Sequence, residues 1–228
     1  MEVDKMAKIA LLHTVKSVLN TFEDKVKEAL GNIMVINTLD EYLASDPAEK
    51  GEFTVGNMNR LFSFLKNAEM AEVDAIVVTC STLSPTVEKI KPFIKIPIIT
   101  IDEAMIKKAV ECGTKITIMA TAGSTIEPTK FGLLREAAKL NKHLELSIIV
   151  CSEAYDAIKA GDIRHHDDLL KQMAIEVKQQ DVVVLAQASM AHLQNIIEKI
   201  CGCTVLSSPT LCIDQLKQTL ISLKKYDM

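Results

Sequence analysis

The sequence predicts an α/β protein built mainly on parallel strands. Short apolar runs rich in Val and Ile take turns along the chain with longer amphipathic stretches. Within the runs, apolar residues do not alternate with polar ones, which is typical of parallel strands covered by helices on both faces. An internal repeat adds a third observation, because it divides the chain into two similar halves.

Apolar runs of strand length predict the sheet, and amphipathic stretches of helical length predict the helices between them. The predicted strands cover residues 8–13, 32–37, 74–79, 96–100, 115–120, 144–150, 181–186 and 203–207. Helices are predicted at residues 61–72, 103–112, 130–141, 154–160, 168–179 and 192–200, among others, and at about 210–224 near the C-terminus. Strand and helix taking turns indicates a parallel sheet.

One offset of 107 residues relates three pairs of predicted strand ends. We interpret the repeat as two pseudo-symmetric halves, the first covering residues 1–100 plus 209–228 and the second covering residues 101–208. The pairs are KIALLHTVKSV from Lys8 with KITIMATAGST from Lys115, DAIVVTCSTLSP from Asp74 with DVVVLAQASMAH from Asp181, and residues 96–100 with residues 203–207.

Charge and length exclude several classes of partner. The chain has 228 residues and a net charge of −4, with acidic and basic residues interspersed. No basic face indicates nucleic-acid binding or a lipid surface, so we expect a small soluble partner. The apolar stretch at the N-terminus is too short for a signal peptide or a membrane span, which predicts a cytoplasmic protein.

The sequence predicts neither disulfides nor a metal site. The six cysteines lack the density of a disulfide scaffold. Cys201 and Cys203 lack the second ligand pair of a structural zinc site. His165 and His166 precede two aspartates at a predicted helix start, where adjacent side chains splay apart, so we interpret this segment as a solvated cap.

Small and hydroxyl residues follow two predicted strands in each half, at residues 13–17, 79–84, 120–129 and 186–190. In open parallel sheets, ligands bind outside the carboxyl ends of the strands, where backbone N–H groups at helix starts favour an anion. A carboxylate is therefore the expected ligand, although Ser and Thr at such positions also serve as ordinary helix caps. The candidate residues at these junctions are His13, Thr14, Ser81, Thr82, Thr121, Ser124, Thr125, Gln187 and Ser189.

Cys80 is the candidate catalytic residue. It ends an apolar run and precedes small hydroxyl residues, so it lies where a helix is predicted to begin. The start of a helix favours a thiolate, which makes a cysteine there a competent base or nucleophile near neutral pH. The alternative is a buried cysteine that only fills space, and this is the interpretation we give the other five cysteines.

The segments DAIVVTCSTLSP, IPIITIDEAM, KITIMATAGST and DVVVLAQASMAHL together resemble the aspartate/glutamate/hydantoin racemase superfamily. The resemblance implies two pseudo-symmetric Rossmann-like halves with the active-site cleft between them, and chemistry without cofactor or metal. It also implies two cysteines, one on each side of the substrate α-carbon. Cys80 matches the first of these cysteines, whereas Gln187 stands in the place of the second.

The replacement of the second cysteine by Gln187 changes the reaction that we expect. An amide cannot act as the second acid or base, so one-thiol isomerisation or decarboxylation of a small carboxylate or dicarboxylate is favoured over two-base racemisation. His13 is either a substitute proton donor or a structural histidine. The alternative function is an inactive carboxylate-binding or sensing protein on the same fold. A homodimer is possible, and a nucleotide enzyme is disfavoured because no G-x-G-x-x-G follows the first strand.

Overall fold

The computed structural model describes residues 6–223. Contacts within the chain define two compact units, one made of Met1–Ile101 and Thr210–Met228 and the other of Asp102–Pro209. Each unit contains one four-stranded sheet. Within residues 6–223, no helix combines the length and the apolar character that crossing a membrane requires.

The sheet of the first unit is parallel throughout. Its strands are β1 (Lys8–His13), β2 (Met34–Leu39), β3 (Ala75–Val78) and β4 (Ile98–Thr100). They stand in the order β2-β1-β3-β4. Every residue of β3 is buried, whereas the edge strand β2 is partly exposed, because helices cover both faces of the centre of such a sheet.

The second unit repeats this topology. Its strands are β5 (Lys115–Ala120), β6 (Glu145–Val150), β7 (Val182–Leu185) and β8 (Thr204–Ser207). Their order is β6-β5-β7-β8, again with parallel pairing at every step. The predicted α/β class, with two similar parallel sheets, is confirmed.

Helices connect the strands of both sheets. In two of them, side-chain caps place the first turn earlier than expected. The third helix begins at Val55 because Thr54 and Asn57 form a capping box. The eighth begins at Ile163 because the Asp162 carboxylate accepts from the backbone N–H of His165 at 3.0 Å. The helices are α1 (Lys16–Leu30), α2 (Tyr42–Lys50), α3 (Val55–Met70), α4 (Ser84–Ile90), α5 (Glu103–Cys112), α6 (Ile126–Lys139), α7 (Ser152–Lys159), α8 (Ile163–Ile175), α9 (Gln194–Cys201) and α10 (Ser208–Ser222).

Short 3₁₀ turns follow three of the strands. They span Ser81–Leu83 after β3, Gly123–Thr125 after β5 and Ala188–Leu193 after β7, and a fourth turn spans Lys91–Phe93. The expected end of the last helix at residue 224 lies outside the described residues.

Two aspartates at equivalent positions join the starts of the central strands. The backbone N–H of Lys8 donates to Asp74 at 2.9 Å. In the second unit, the N–H groups of Thr114 and Lys115 donate to Asp181 at 2.8 and 2.9 Å. These backbone hydrogen bonds, with that of Lys115 the strongest influence, lower the pKa of Asp181. The repeat therefore keeps a residue that supports the sheet in both units.

Candidate functional site

The strand ends of the first unit bring together five of the expected site residues. Strands β1 and β3 are parallel neighbours, so the residues after them lie along one edge of the sheet. His13 ends β1 and Thr14 follows it, and both are buried. Cys80, Ser81 and Thr82 follow β3 and are partly exposed. This edge therefore presents one thiol and two hydroxyl groups to solvent.

Cys80 stands where the chain leaves the sheet. Its backbone is extended, and the 3₁₀ turn that begins at Ser81 follows at once. The side chain packs against the hydrophobic core yet remains partly exposed. Its Sγ atom lies 2.9 Å from the hydroxyl oxygen of Thr82. The sulfur is thus neither sealed in the core nor free of polar contact.

His13 is held on both sides of its ring. Its side chain is fully buried. The Nδ1 atom lies 2.8 Å from Oγ1 of Thr79, and Nε2 lies 3.1 Å from Oδ1 of Asn37. The Asn37 amide in turn donates to a carboxylate oxygen of Glu23 at 2.5 Å. A chain of hydrogen bonds therefore runs from Glu23 to the residue immediately before Cys80.

The hydrogen bonds fix the tautomer of His13. Because Asn37 donates its N–H to Glu23, its oxygen must accept, so Nε2 of His13 carries the proton. Nδ1 then faces the hydroxyl of Thr79, whose oxygen also lies 2.9 Å from the backbone oxygen of Leu12. Burial lowers the pKa of His13, although the hydrogen bond to Asn37 and the charge of Glu23 oppose this effect. In the neutral ring, Nδ1 and the Leu12 oxygen therefore share the single proton of that hydroxyl.

Sequence reasoning missed the residues that hold His13. Thr79 directly follows β3, whereas Asn37 lies on β2 and Glu23 on α1, far apart in sequence. One signal was present, because Asn37 is a polar residue that follows an apolar run beside the strand that carries His13.

The strand ends of the second unit are organised around Gln187. Strands β5 and β7 are parallel neighbours, which places Thr121 beside Gln187. The Thr121 backbone N–H donates to Oε1 of Gln187 at 2.7 Å, and Nε2 of Gln187 donates to the Thr121 hydroxyl at 2.7 Å. Thr121 itself is buried. The amide of Gln187 thus forms a two-point clamp on Thr121.

The remaining candidates of this unit differ in exposure. Ser124 and Ser189 are exposed. Thr125 is buried, and its hydroxyl donates to the backbone oxygen of Ala122 at 2.9 Å. That hydroxyl therefore bonds back to its own turn and does not form the N-cap hydrogen bond considered as the alternative for the junctions.

The other cysteines mostly behave as fillers, with one exception. Burial raises the pKa of Cys201 to about 11 and also raises that of Cys203. Cys212 is buried and Cys151 is partly buried. Cys112 is exposed at the end of α5, so the expectation that it fills space in the core is wrong. A cysteine at a helix end can face either solvent or core, and the sequence did not decide between them.

The solvated-cap interpretation of the histidines on α8 holds only in part. Asp162 does cap the helix, and His165 is exposed. His166, in contrast, is completely buried, with its Nδ1 atom 2.8 Å from a carboxylate oxygen of Asp167. The same carboxylate contacts His192, which lies 25 residues further along the chain. Spacing within the helix could not reveal this contact.

Solved structures with the same fold cover almost the whole chain. Glutamate racemase from Francisella tularensis, solved in complex with D-glutamate, has a TM-score of 0.74 at 17% identity, covering 99% of this chain and 84% of that one. The glutamate racemase isoform RacE1 from Bacillus anthracis has a TM-score of 0.72 at 17% identity, covering 98% and 85%. Aspartate racemase from Picrophilus torridus has a TM-score of 0.68 at 13% identity, covering 97% and 100%. At these identities the likeness shows the fold.

A family model carries the assignment further. The search of curated proteins gave no match. The model described as Asp/Glu/Hydantoin racemase matches residues 12–216, which is most of the chain and includes every candidate residue named above. A match to this family over most of the chain supports a racemase-type isomerase. This chain belongs to the Asp/Glu/Hydantoin racemase family.

Proposed function

We propose that this protein is a cofactor-independent enzyme that moves a proton at the carbon next to a carboxylate of a small acid, with Cys80 as its acid and base. The observation that carries the proposal is the setting of Cys80. Its sulfur is partly exposed at the carboxyl end of β3, with the Thr82 hydroxyl 2.9 Å away. A thiol needs this access and a polar neighbour to exchange protons with a substrate.

One thiol is sufficient for two reactions. In an isomerisation of an unsaturated acid, the Cys80 thiolate takes the α-proton, so the C–H bond breaks, an S–H bond forms and the electron pair moves into an enolate conjugated with the double bond. The same thiol then returns the proton to the far carbon of that conjugated system, so the double bond shifts and the thiolate is restored. In a decarboxylation, the C–C bond to one carboxylate breaks and CO2 leaves. The thiol protonates the remaining enolate, and water restores the proton to sulfur.

Gln187 makes these reactions better candidates than two-base racemisation. Its amide has no titratable proton, and both of its polar atoms contact Thr121 at 2.7 Å. The Francisella tularensis racemase was solved with D-glutamate. Small carboxylates and dicarboxylates are accordingly the substrate class we propose for this chain.

Exposure separates the roles of the neighbouring residues. Ser81 and Thr82 are partly exposed beside the thiol, and we assign them to the carboxylate oxygens, where hydrogen-bond donors stabilise an enolate as an oxyanion hole does. His13 is fully buried and bonded at both ring nitrogens. Its role in the proposal is positioning, because it fixes Thr79, the residue before Cys80.

Thiol reactivity provides the first test, and Cys112 is its matched control. Cys112 is exposed whereas Cys80 is only partly exposed, so accessibility alone predicts faster labelling of Cys112. We expect iodoacetamide at pH 6.5 to label Cys80 first, and malonate to protect it. Labelling of Cys112 ahead of Cys80, with no protection by malonate, would refute the catalytic thiol.

Turnover provides the second test. Methylmalonate, glutaconate and D-glutamate sample decarboxylation, proton transfer within an unsaturated diacid and racemisation, respectively. We expect solvent deuterium incorporation or CO2 release from one of these acids, lost in Cys80→Ser and retained in Cys112→Ser.

A second candidate function is a carboxylate-binding protein without turnover. The observation that favours it is the clamp between Gln187 and Thr121, which replaces a titratable group with a structural contact. Protection of Cys80 by malonate, together with no deuterium exchange and no CO2 release from any acid in the panel, would favour this function.

A further inference from the structure

Three side chains with metal-binding atoms meet in the second unit. His166 and Asp167 lie on α8, and His192 lies in the 3₁₀ turn after β7. The Asp167 carboxylate is 2.8 Å from Nδ1 of His166 and 2.9 Å from Nε2 of His192. One ligand atom from each of the three residues lies within 4.8 Å of the other two.

The donor set fits a divalent metal ion of the zinc class. Two imidazole nitrogens and one carboxylate oxygen suit zinc, cobalt or nickel, whereas Mg²⁺ and Ca²⁺ prefer oxygen ligands alone. In a tetrahedral zinc site with ligands at about 2.0 Å, neighbouring ligand atoms lie about 3.3 Å apart. The observed contacts of 2.8 and 2.9 Å need only a small opening to reach that geometry.

Burial is graded across the cluster. The side chain of His166 is fully buried, that of Asp167 is 18% exposed and that of His192 is 48% exposed. The cluster is thus closed on the His166 side and open to solvent on the His192 side. Such an arrangement leaves room for a water molecule as a fourth ligand, as in sites with three protein ligands.

One carboxylate contacts both imidazole rings of the cluster. Oδ1 of Asp167 lies 2.8 Å from His166 and 2.9 Å from His192. The second ring nitrogen of His166, Nε2, is buried without a hydrogen-bond partner. In a ring that bound a metal through Nδ1, this second nitrogen would carry the N–H proton.

Asp168 takes no part in the cluster, because it is exposed and pairs with Lys171 at 2.9 Å. Among the residues of the first unit that the structure describes, no equivalent cluster occurs. At the repeat offset of 107, the counterparts of His166, Asp167 and His192 are Asn59, Arg60 and Pro85. This donor set is therefore peculiar to the second unit.

We propose that His166, Asp167 and His192 form a binding site for one divalent transition-metal ion of the zinc class. The bound ion ties α8 to the turn that begins at Ala188, directly after Gln187. It is a structural ion that rigidifies this turn, and it takes no part in the proton transfer assigned to Cys80. The two proposals therefore stand or fall separately.

Zinc binding to the full chain tests the site. The chain is treated with EDTA, dialysed, and titrated with ZnCl2 by calorimetry, with MgCl2 as the ion that should not bind. We expect one zinc per chain and a higher melting temperature with zinc, because a ligand that binds the folded state stabilises it. His192→Gln and Asp167→Asn should each weaken binding by at least about 10-fold, since even outer-shell partners of metal ligands contribute that much.

Two controls separate this cluster from other donors. His165→Gln removes an exposed histidine adjacent to the cluster and should leave zinc affinity unchanged. The double variant Cys201→Ser and Cys203→Ser should also leave it unchanged, and Co²⁺ bound to the protein should show no sulfur-to-cobalt charge-transfer band. Absence of zinc binding, equal binding by His192→Gln and Asp167→Asn, or loss of binding in the double cysteine variant would each overturn the site.

Discussion

The carboxyl ends of β3 and β7 occupy equivalent places in two sheets of the same topology. The residues that follow them, Cys80 and Gln187, make different contacts. After β3, the Sγ atom of Cys80 lies 2.9 Å from the hydroxyl oxygen of Thr82 in its own loop. After β7, Gln187 reaches to the neighbouring strand end and holds Thr121 through two hydrogen bonds of 2.7 Å. The sulfur of Cys80 is therefore partly exposed, whereas both polar atoms of the Gln187 amide are bonded to Thr121.

The buried residues next to these strand ends also differ between the two units. In the first unit, His13 and Thr79 belong to a buried polar network. The residues 107 positions later are Ala120 and Ala186, which are buried and apolar. At the opposite edge of the sheets, Asp74 and Asp181 perform the same task in both units. The repeat thus preserves the residues that start the strands and diverges where the strands end.

This comparison teaches that the second unit keeps its strand ends in place without a buried network. A single glutamine replaces both the thiol and the polar layer beneath it. If this is correct, substitution of Cys80 should change the reaction rate and substitution of His13 should change the stability of the fold. Substitution of Gln187 should mainly lower stability.

The largest effect is expected from Cys80→Ser. Removing a general acid and base lowers the rate by about 10³-fold, so deuterium exchange or CO2 release from the acid that the wild type turns over should fall by that factor. The fold should be retained, because the thiol only borders the core. Circular dichroism and urea unfolding of the variant check this, with Cys112→Ser as the control. A rate within a few-fold of wild type would remove the distinction between the two strand ends.

Next in size is the loss of stability from His13→Leu. The variant removes the hydrogen bonds of the buried ring to Thr79 and Asn37. Thr79 keeps the Leu12 oxygen and Asn37 keeps Glu23, so the cost is that of a broken network, about 3 kcal/mol. Urea unfolding measures the difference. His143 is exposed, so His143→Gln should change the free energy of unfolding by less than about 0.5 kcal/mol. An equally small change in His13→Leu would mean that the network does not stabilise the first unit.

Much of the scaffold behind this comparison was predictable from the sequence. Strands β1 and β5 and helix α5 have the predicted bounds, because uninterrupted apolar runs and an amphipathic stretch between clear breaks are local signals. Strand β2 begins at Met34, two residues later than predicted. Its start is set by parallel pairing of Met34 with Lys8, which apolar composition does not reveal.

For the candidate site, the sequence predicted which residues lie at the strand ends but not their hydrogen-bond partners. Parallel pairing places Cys80 and Gln187 at strand ends, and the repeat relates them, so their positions follow from the pattern. Their partners do not. The contact between Thr121 and Gln187 spans 66 residues and that between His13 and Asn37 spans 24, and neither has a periodic signature. Side-chain direction at a strand end is decided by tertiary neighbours, which a single sequence does not specify.

A smaller effect is expected when the two equivalent positions are truncated in parallel. Gln187→Met removes both bonds to Thr121 and leaves its buried backbone N–H unpaired, which should cost about 2 kcal/mol. Cys80→Ala removes one contact within a loop and should cost less than about 1 kcal/mol. The difference in urea midpoints between the variants measures the asymmetry. Equal costs at the two positions would show that the clamp adds no stability.

The smallest effect is the change in folding stability with pH that comes from His13 in the first unit. Burial lowers the pKa of His13, opposed by Asn37 and Glu23, so the folded chain binds this proton less readily than the unfolded chain does. The stabilisation from the neutral ring is therefore complete above the unfolded pKa of about 6.5 and is lost as pH falls from there through the lowered folded pKa.

Urea unfolding at pH 7.5, 6.5 and 5.5 should show this loss in wild type, and His13→Gln should reduce the slope because an amide does not titrate. Glu23 does not contribute in this range, since its pKa is also lowered, by Lys27 most strongly, and it stays ionised. His143→Gln should keep most of the slope, because this exposed ring lies outside the network. A slope that is unchanged in His13→Gln would mean that the ring titrates equally in folded and unfolded chains. The polar layer beneath Cys80 would then lack the burial that distinguishes it from the alanines of the second unit.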